Sequence, residues 1–257
     1  IIHGMTHDHT KAVDLVLASG DKVHYSQQSS SWIDHPEGSP YRQIGDILAK
    51  YHQQIANRYP NTFRSVAGYN LNVLANQEFP NLAPLMVGSE GTLGVITEAT
   101  LNLVEKPENT VLALVHFDDL GEALRAVPHM LETQPSAIEL IDKMLLDLTR
   151  GRPEYLQLLT FIRDDPRIVL IVEYAGDSKS QLAAKIGELK TVLNRLHHRS
   201  HNLTITDPVE QSRVWYVRKL GLGILMSIKG NAKPLPFIED AAVPVEHLAE
   251  YVAEIER

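Results

Sequence analysis

The sequence predicts an α+β fold, and three observations carry that prediction. A hairpin pattern opens the chain, a glycine-spaced loop enters a strand-like run near residue 90, and from residue 110 strands alternate with helices. With 44% hydrophobic and 22% charged residues over 257 positions, the composition is globular, so packed structure is the expectation throughout. The alternation after residue 110 suggests helices covering one face of a sheet.

The elements follow in order. "VDLVLASGDKVHY" reads as a hairpin, because Val13, Leu15 and Leu17 alternate, Ser19-Gly20-Asp21 supplies the turn, and Val23 and Tyr25 begin the return. A helix follows from "SPYRQIGDILAKYHQQIANRY", with Ser39 as N-cap, Pro40 at N1, and Ile44, Ile47, Leu48, Tyr51 and Ile55 on one face. "LGVITEATLNLV" is a strand, and "EKPEN" marks a boundary. Beyond it come the strand "TVLALVHF" and the helix "LGEALRAVPHMLET", which Pro128 is expected to kink or shorten. A helix is expected around "AIELIDKMLLDLT", then the strand "RIVLIVEYA". Ser178 and Gln181 form a capping-box pattern for a long helix. After the short strand "NLTIT", Asp207, Pro208 and Glu210 launch another helix through "QSRVWYVRKLGLGILMSIK", whose Leu-Gly-Leu-Gly reads as close helix packing. "PFIEDAAV" and a final helix close the chain. No internal repeat or low-complexity segment is visible.

Several function classes recede. A formal charge of −8 with no cationic concentration argues against nucleic acid as the main partner. The absence of cysteine excludes disulfides, thiolate metal sites and a cysteine nucleophile within these residues. No apolar run is long enough to span a membrane, so a cytoplasmic location is expected, with membrane-peripheral attachment left open for a longer parent. The start without Met and a last helix without a C-cap glycine read as a segment of a longer protein, whose uncovered apolar faces would favour artificial association.

"PLMVGSEGTLGVITEATLNLVEKP", residues 84–107, is the most informative stretch. Gly88, Gly91 and Gly94 leave backbone N–H groups uncovered, and Ser89 and Thr92 add hydroxyl donors, so a flat or anionic ligand can approach closely. The alternative is a tight turn and bulge entering a strand. A strand follows and no Gly-Lys-Ser/Thr is present, so neither the dinucleotide-binding fingerprint nor a P-loop fits.

"VGSEGTLGVITEATLNLVEKP" resembles the loop and strand of the FAD-binding domain of FAD-linked 2-hydroxy-acid dehydrogenases and oxidases. That family includes D-lactate dehydrogenase, the glycolate oxidase flavin subunit and D-2-hydroxyglutarate dehydrogenase. "HGMTHDHTKAVDLVLASGDKVH", "FRSVAGYNLNVL", "VWYVRK" and "PFIEDAAVPVEHL" resemble further segments in the family's order, so the likeness spans nearly the whole chain. The texture is that of very large members with a C-terminal iron–sulfur region. The resemblance implies that residues 1–107 are the second part of a two-subdomain FAD-binding domain, and residues 108–257 the first part of an α+β substrate cap.

It also implies roles. Gly88, Ser89, Glu90, Gly91, Thr92, Gly94, Val95 and Ile96 would lie along the FAD, mostly through backbone. Arg64, Tyr69 and Asn70 would sit near the flavin side, and Arg218 would hold the carboxylate of a small 2-hydroxy acid, a task that suits a guanidinium fork. A solvated charge on a helix face is the other reading of Arg218. Hydride would pass from the substrate to FAD, a base outside this chain would take the hydroxyl proton, and electrons would leave singly for an acceptor the sequence does not name. The segment is expected to be inactive alone. A non-catalytic α+β binding or interaction module is the competing class.

Departures matter. Some relatives carry a lysine where Ile238 stands; Lys229 or Lys233 is near enough in sequence to replace it, but each reads first as a surface lysine. His3, His7 and His9, and His197, His198 and His201, form two loose groups. No metal site is expected from them, because the first group lies at the start of the sequence and the second at a helix end, where a cationic side chain is favoured anyway. The resemblance implies that any iron–sulfur cluster or divalent metal would lie outside this chain. Asp164–Asp165 reads as a solvated turn and Glu239–Asp240 as structural salt bridging.

Overall fold

The computed structural model describes residues 2–199, 201–226 and 241–257. The chain divides into two units, His3–Glu105 and Lys106–Arg257, with the break inside "EKPEN". Lys229, Lys233, Ile238, Glu239 and Asp240 lie outside the described residues.

The first unit begins with a single helical turn, α1 (Thr6–His9), followed by β1 (Thr10–Val16) and β2 (Lys22–Ser26). These strands pair antiparallel as expected, with Gly20 at φ +88° in the turn between them. A 3₁₀ turn at Trp32–Asp34 leads to α2 (Pro40–Arg58). Ser39 caps it by accepting from the Arg42 N–H. Leu48 and Ile55 are buried, whereas Ile47 and Tyr51 of the expected apolar face are exposed. Tyr51 leaves helical dihedrals (φ −110°, ψ 16°), so the helix kinks and the 3.6-residue stripe loses its continuity there. Two short helices, α3 (Leu71–Ala75) and α4 (Ala83–Met86), precede the glycine loop and β3 (Val95–Leu101). The sheet order is β2-β1-β3, antiparallel throughout. Its core gathers Val13, Leu15, Tyr25, Leu48, Leu74 and Leu85. All seven residues of β3 are exposed.

The second unit is a four-stranded antiparallel sheet built from β4 (Asn109–Phe117), β5 (Ala137–Asp142), β6 (Ile168–Gly176) and β7 (Asn202–Ile205), in the order β5-β6-β4-β7. Its helices are α5 (Leu120–Leu131), α6 (Lys143–Arg150), α7 (Pro153–Leu156), α8 (Lys179–Arg195), α9 (Pro208–Met226) and α10 (Leu248–Ile255). A 3₁₀ turn at Val245–His247 precedes the last of them.

Helices cover both faces of this sheet, a correction to the single covered face that the pattern suggested. Val111, Val115, Leu170 and Val172 pack with α5 and α8, while Leu112, Leu114, Val169 and Ile171 pack with α6 and α9. β4 and β6 are apolar at nearly every position because neither face meets water.

The same burial explains a second correction. "AIELID" is not helical but is strand β5, paired antiparallel with β6, and α6 starts only after Asp142, whose side chain accepts from the Leu145 N–H. Ile138 and Leu140 enter one core and Ile141 the other, so alternation is masked and the run imitates a buried helix. Pro128 does not end α5, which continues to Leu131; it withholds one N–H, the partner of the Leu124 carbonyl, and the helix stops within a turn of it. Ser178 accepts from the Gln181 N–H, but Gln181 returns its bond to Asp177 rather than to Ser178. Of the two glycines in α9, a Cβ on Gly221 would meet Leu145 at 3.2 Å, whereas Gly223 faces open space.

The core on the α5/α8 side carries one buried hydroxyl pair. Thr133 donates to the Met130 carbonyl at 2.6 Å, so the Tyr174 hydroxyl, 2.5 Å away, donates to Thr133. Burial pushes the Tyr174 phenol up from its ordinary value. Thr133→Val strands the Tyr174 hydroxyl and is expected to cost about 1–3 kcal/mol, while Tyr174→Phe leaves Thr133 satisfied and costs about 1 kcal/mol. Denaturant midpoints of the two variants check the order; an equal or reversed order would contradict it.

Candidate cofactor loop and carboxylate-binding arginine

The glycine loop answers two demands at different positions. Gly94, at φ +157°, sits where β3 meets β1, and a Cβ there would stand 3.0 Å from the Val16 carbonyl oxygen. Close approach of a neighbouring strand explains this glycine. Gly88 and Gly91, both at φ +77°, have nothing within 4 Å of an added Cβ. With Glu90 at φ +51° they form a left-handed, solvent-facing backbone that no packing within the protein requires. Val95 and Ile96 follow with exposures of 65% and 45%.

The hydroxyl groups behave differently from their expected use as ligand donors. Ser89 is buried, and Thr92 donates to the Ser89 carbonyl at 2.6 Å. With its proton committed, Thr92 accepts from the Tyr69 hydroxyl at 2.8 Å. Asn70 spends both amide hydrogens on the Pro84 and Val87 carbonyls, at 3.0 and 2.9 Å. Tyr59 donates to the Tyr69 carbonyl at 2.6 Å. The segment around residue 70 is thus clamped onto the loop's entry. The Arg64 carbonyl accepts from the Thr62 hydroxyl at 2.7 Å, and the Arg64 side chain is part-buried. A polar cleft of about 210 Å³ opens beside this segment, with His7, Tyr59, Thr62 and Asn70 in its walls.

In the second unit Arg218 lies on α9 and reaches Glu139 of β5, with Nε and Nη2 each 3.1 Å from Oε2. Both side chains are about two-fifths exposed, at 43% and 41%. Glu139 escaped sequence reasoning because its stretch read as helix. The available signal was an acid, Glu139, between apolar neighbours in "AIELI". A groove of about 840 Å³ lies between α8 and β4, with Lys106, Lys179 and Lys190 among its lining residues; Arg218 does not line it.

Two of the grouped histidines are bonded within the protein. His9 Nε2 donates to the His3 carbonyl at 2.5 Å, and His201 pairs with Asp164 at 2.8 Å. Asp165, though exposed, is bound by Lys143 and Arg150 at 2.9 and 2.6 Å, so the expected solvated turn is also tied to α6. Among the described residues no group of three or more His, Asp or Glu is arranged to hold a metal ion.

His116 is buried, donates from Nδ1 to the His201 carbonyl at 2.9 Å, and leaves Nε2 without a partner. Burial pushes its pKa below the ordinary 6.5, and burial does the same to His198. The unfolded chain therefore binds these protons more readily. Stability is full above 6.5 and is lost as pH falls through 6.5 toward the depressed folded values. Melting temperature is expected to drop between pH 7 and 5, with a shallower slope in His116→Leu, whose backbone N–H still satisfies the His201 carbonyl. An unchanged slope would remove His116 from the account.

Residues 106–257 match the family described as FAD linked oxidases, C-terminal domain. The chain belongs to the FAD-linked oxidase family. It is 32% identical to a D-2-hydroxyglutarate dehydrogenase of Pantoea ananatis, over 99% of this chain and 26% of that protein. It is 28% identical to a mitochondrial D-lactate dehydrogenase [cytochrome] of Saccharomyces cerevisiae, over 76% of this chain and 31% of that protein. A solved alkyldihydroxyacetonephosphate synthase aligns with a TM-score of 0.46 at 16% identity, covering 86% of this chain and 34% of that one. The chain thus spans about a quarter to a third of these relatives. No described helix is long and apolar enough to cross a membrane.

Proposed function

We propose that the chain is part of an FAD-dependent dehydrogenase that oxidises a D-2-hydroxy acid to the 2-oxo acid, with D-2-hydroxyglutarate the first substrate to test. The observation that carries this reading is the match to a D-2-hydroxyglutarate dehydrogenase along 99% of the chain, through both units rather than one. Residues 1–107 are read as the later part of the FAD-binding domain and 108–257 as the beginning of the substrate cap.

The residues present fit a flavin nucleotide in kind. Gly88, Glu90 and Gly91 offer an open left-handed backbone that a flat group can approach closely, and the exposed Val95 and Ile96 that follow add apolar side chains on either face of β3. The loop contributes backbone rather than hydroxyl donors, because Ser89 is buried and Thr92 is spent on Ser89 and Tyr69. Tyr69 and Asn70 set the loop's shape, so their role in binding is to hold the backbone that meets the cofactor.

When bound, FAD accepts the hydride from the substrate carbon. Arg218 fixes the substrate through its carboxylate, since two parallel N–H groups match two carboxylate oxygens and leave the hydroxyl-bearing carbon orientable. The base that takes the hydroxyl proton is assigned to no residue of this chain. With a quarter of a relative's length, the chain alone is expected to retain little FAD and to turn nothing over.

Anaerobic reduction of the whole FAD-loaded protein tests the reading. Bleaching of the oxidised flavin band by D-2-hydroxyglutarate, D-lactate or glycolate supports it and ranks the substrates. A flavin that stays oxidised with every 2-hydroxy acid offered overturns it.

A further inference from the structure

We infer that Glu139 is a positioning residue for Arg218, holding one edge of the guanidinium so that the other edge meets the substrate carboxylate. This rests on the reading above that Arg218 is the carboxylate anchor.

A guanidinium carries five N–H donors and presents two edges able to take a carboxylate. The lateral edge consists of Nε and Nη2; the terminal edge consists of Nη1 and Nη2. Glu139 occupies the lateral edge through a single oxygen, with both nitrogens at 3.1 Å from Oε2. Among the described residues Nη1 has no acceptor, so the terminal pair is the edge left for an incoming acid.

The two residues are carried by rigid elements. Glu139 lies opposite Ile171 in the β5–β6 ladder, and Arg218 lies within the 19-residue helix α9, between the packed Val217 and Gly221. A long side chain on a helix otherwise samples many rotamers. A strand-borne carboxylate 79 positions earlier in the chain selects the one that brings the fork to Glu139 on β5.

The charge arrangement serves the same end. Glu139 neutralises Arg218 while no substrate is present, and it sits on the edge where a second carboxylate need not come. The pair is two-fifths exposed, so it adds little to folding stability and its conservation of geometry is better tested on binding.

In the whole FAD-loaded protein, Glu139→Ala is expected to raise KM for the 2-hydroxy acid about tenfold, and Glu139→Gln about threefold, with kcat, flavin content and melting temperature nearly unchanged. Because Glu139 acts through Arg218, the double variant with Arg218→Ala should be no worse than Arg218→Ala alone. An unchanged KM in Glu139→Ala beside a raised KM in Arg218→Ala overturns the positioning role while leaving the anchor intact. A lowered KM in Glu139→Ala also overturns it, and makes Glu139 a competitor for the fork. An unchanged KM in Arg218→Ala overturns the anchor and the positioning role together.

Discussion

Arg218→Ala in the whole FAD-loaded protein is expected to raise KM for the 2-hydroxy acid on the order of a hundredfold. Charge-assisted hydrogen bonds contribute about 1.5–3 kcal/mol each in a site that excludes water, and a factor of ten corresponds to about 1.4 kcal/mol. Losing a bidentate pair that is partly replaced by water gives the stated magnitude. Folding should be little affected, because Glu139 is 41% exposed and can be hydrated once its partner is gone. Arg218→Lys should recover only part of the loss, since an ammonium offers a point charge in place of a planar fork. Steady-state kinetics with matched melting curves check this. A KM unchanged within error would return Arg218 to the role of a solvated helix charge paired with Glu139.

Gly94→Val is expected to destabilise the first unit by about 3 kcal/mol or more, a large share of the 5–15 kcal/mol typical of whole domains. Two costs combine. The residue holds φ +157°, which an L side chain rarely adopts, and its Cβ would be 3.0 Å from the Val16 carbonyl, a backbone atom that cannot swing aside. Gly91→Ala is the control. Its φ of +77° costs about 1 kcal/mol, but the space around it is empty. Under the proposed function Gly91→Ala should nonetheless lower FAD content, because the added methyl stands on the face offered to the cofactor. Denaturant unfolding monitored through the β1–β3 sheet separates the two variants. Equal costs would mean that the close approach at Val16 does not govern the loop.

What the sequence made legible was local chemistry. Ser39 and Pro40 start a helix wherever they precede an apolar stripe, and Ser19-Gly20-Asp21 turns a chain whatever lies beyond, so α2 and the β1–β2 hairpin were readable. β5 was not, because apolar residues on both its faces, Ile138 and Leu140 on one and Ile141 on the other, erase the period-two signal that separates strand from helix. The second helix layer over β4 and β6 was hidden for the same reason, although their unbroken apolar runs already implied it. In the candidate site the glycines were visible as a spacing, but their division of labour was not. Only coordinates distinguish Gly94, pressed against Val16, from Gly88 and Gly91, which face open space. The Tyr69–Thr92 and Arg218–Glu139 contacts join residues 23 and 79 positions apart, and no periodicity reports pairs of that separation.

β3 forms the margin of its sheet, with all seven residues exposed and no strand on its outer side among the described residues. Such a margin is a template on which a second copy can add its own strand. Glu98 is its one charge, flanked by threonine and alanine, with Val95, Ile96 and Leu101 toward the ends. Along this edge a single carboxylate is the only charge that opposes pairing with a second copy. Concentrating the protein without a ligand along β3 is therefore expected to favour edge-to-edge association, seen as turbidity before any loss of secondary structure.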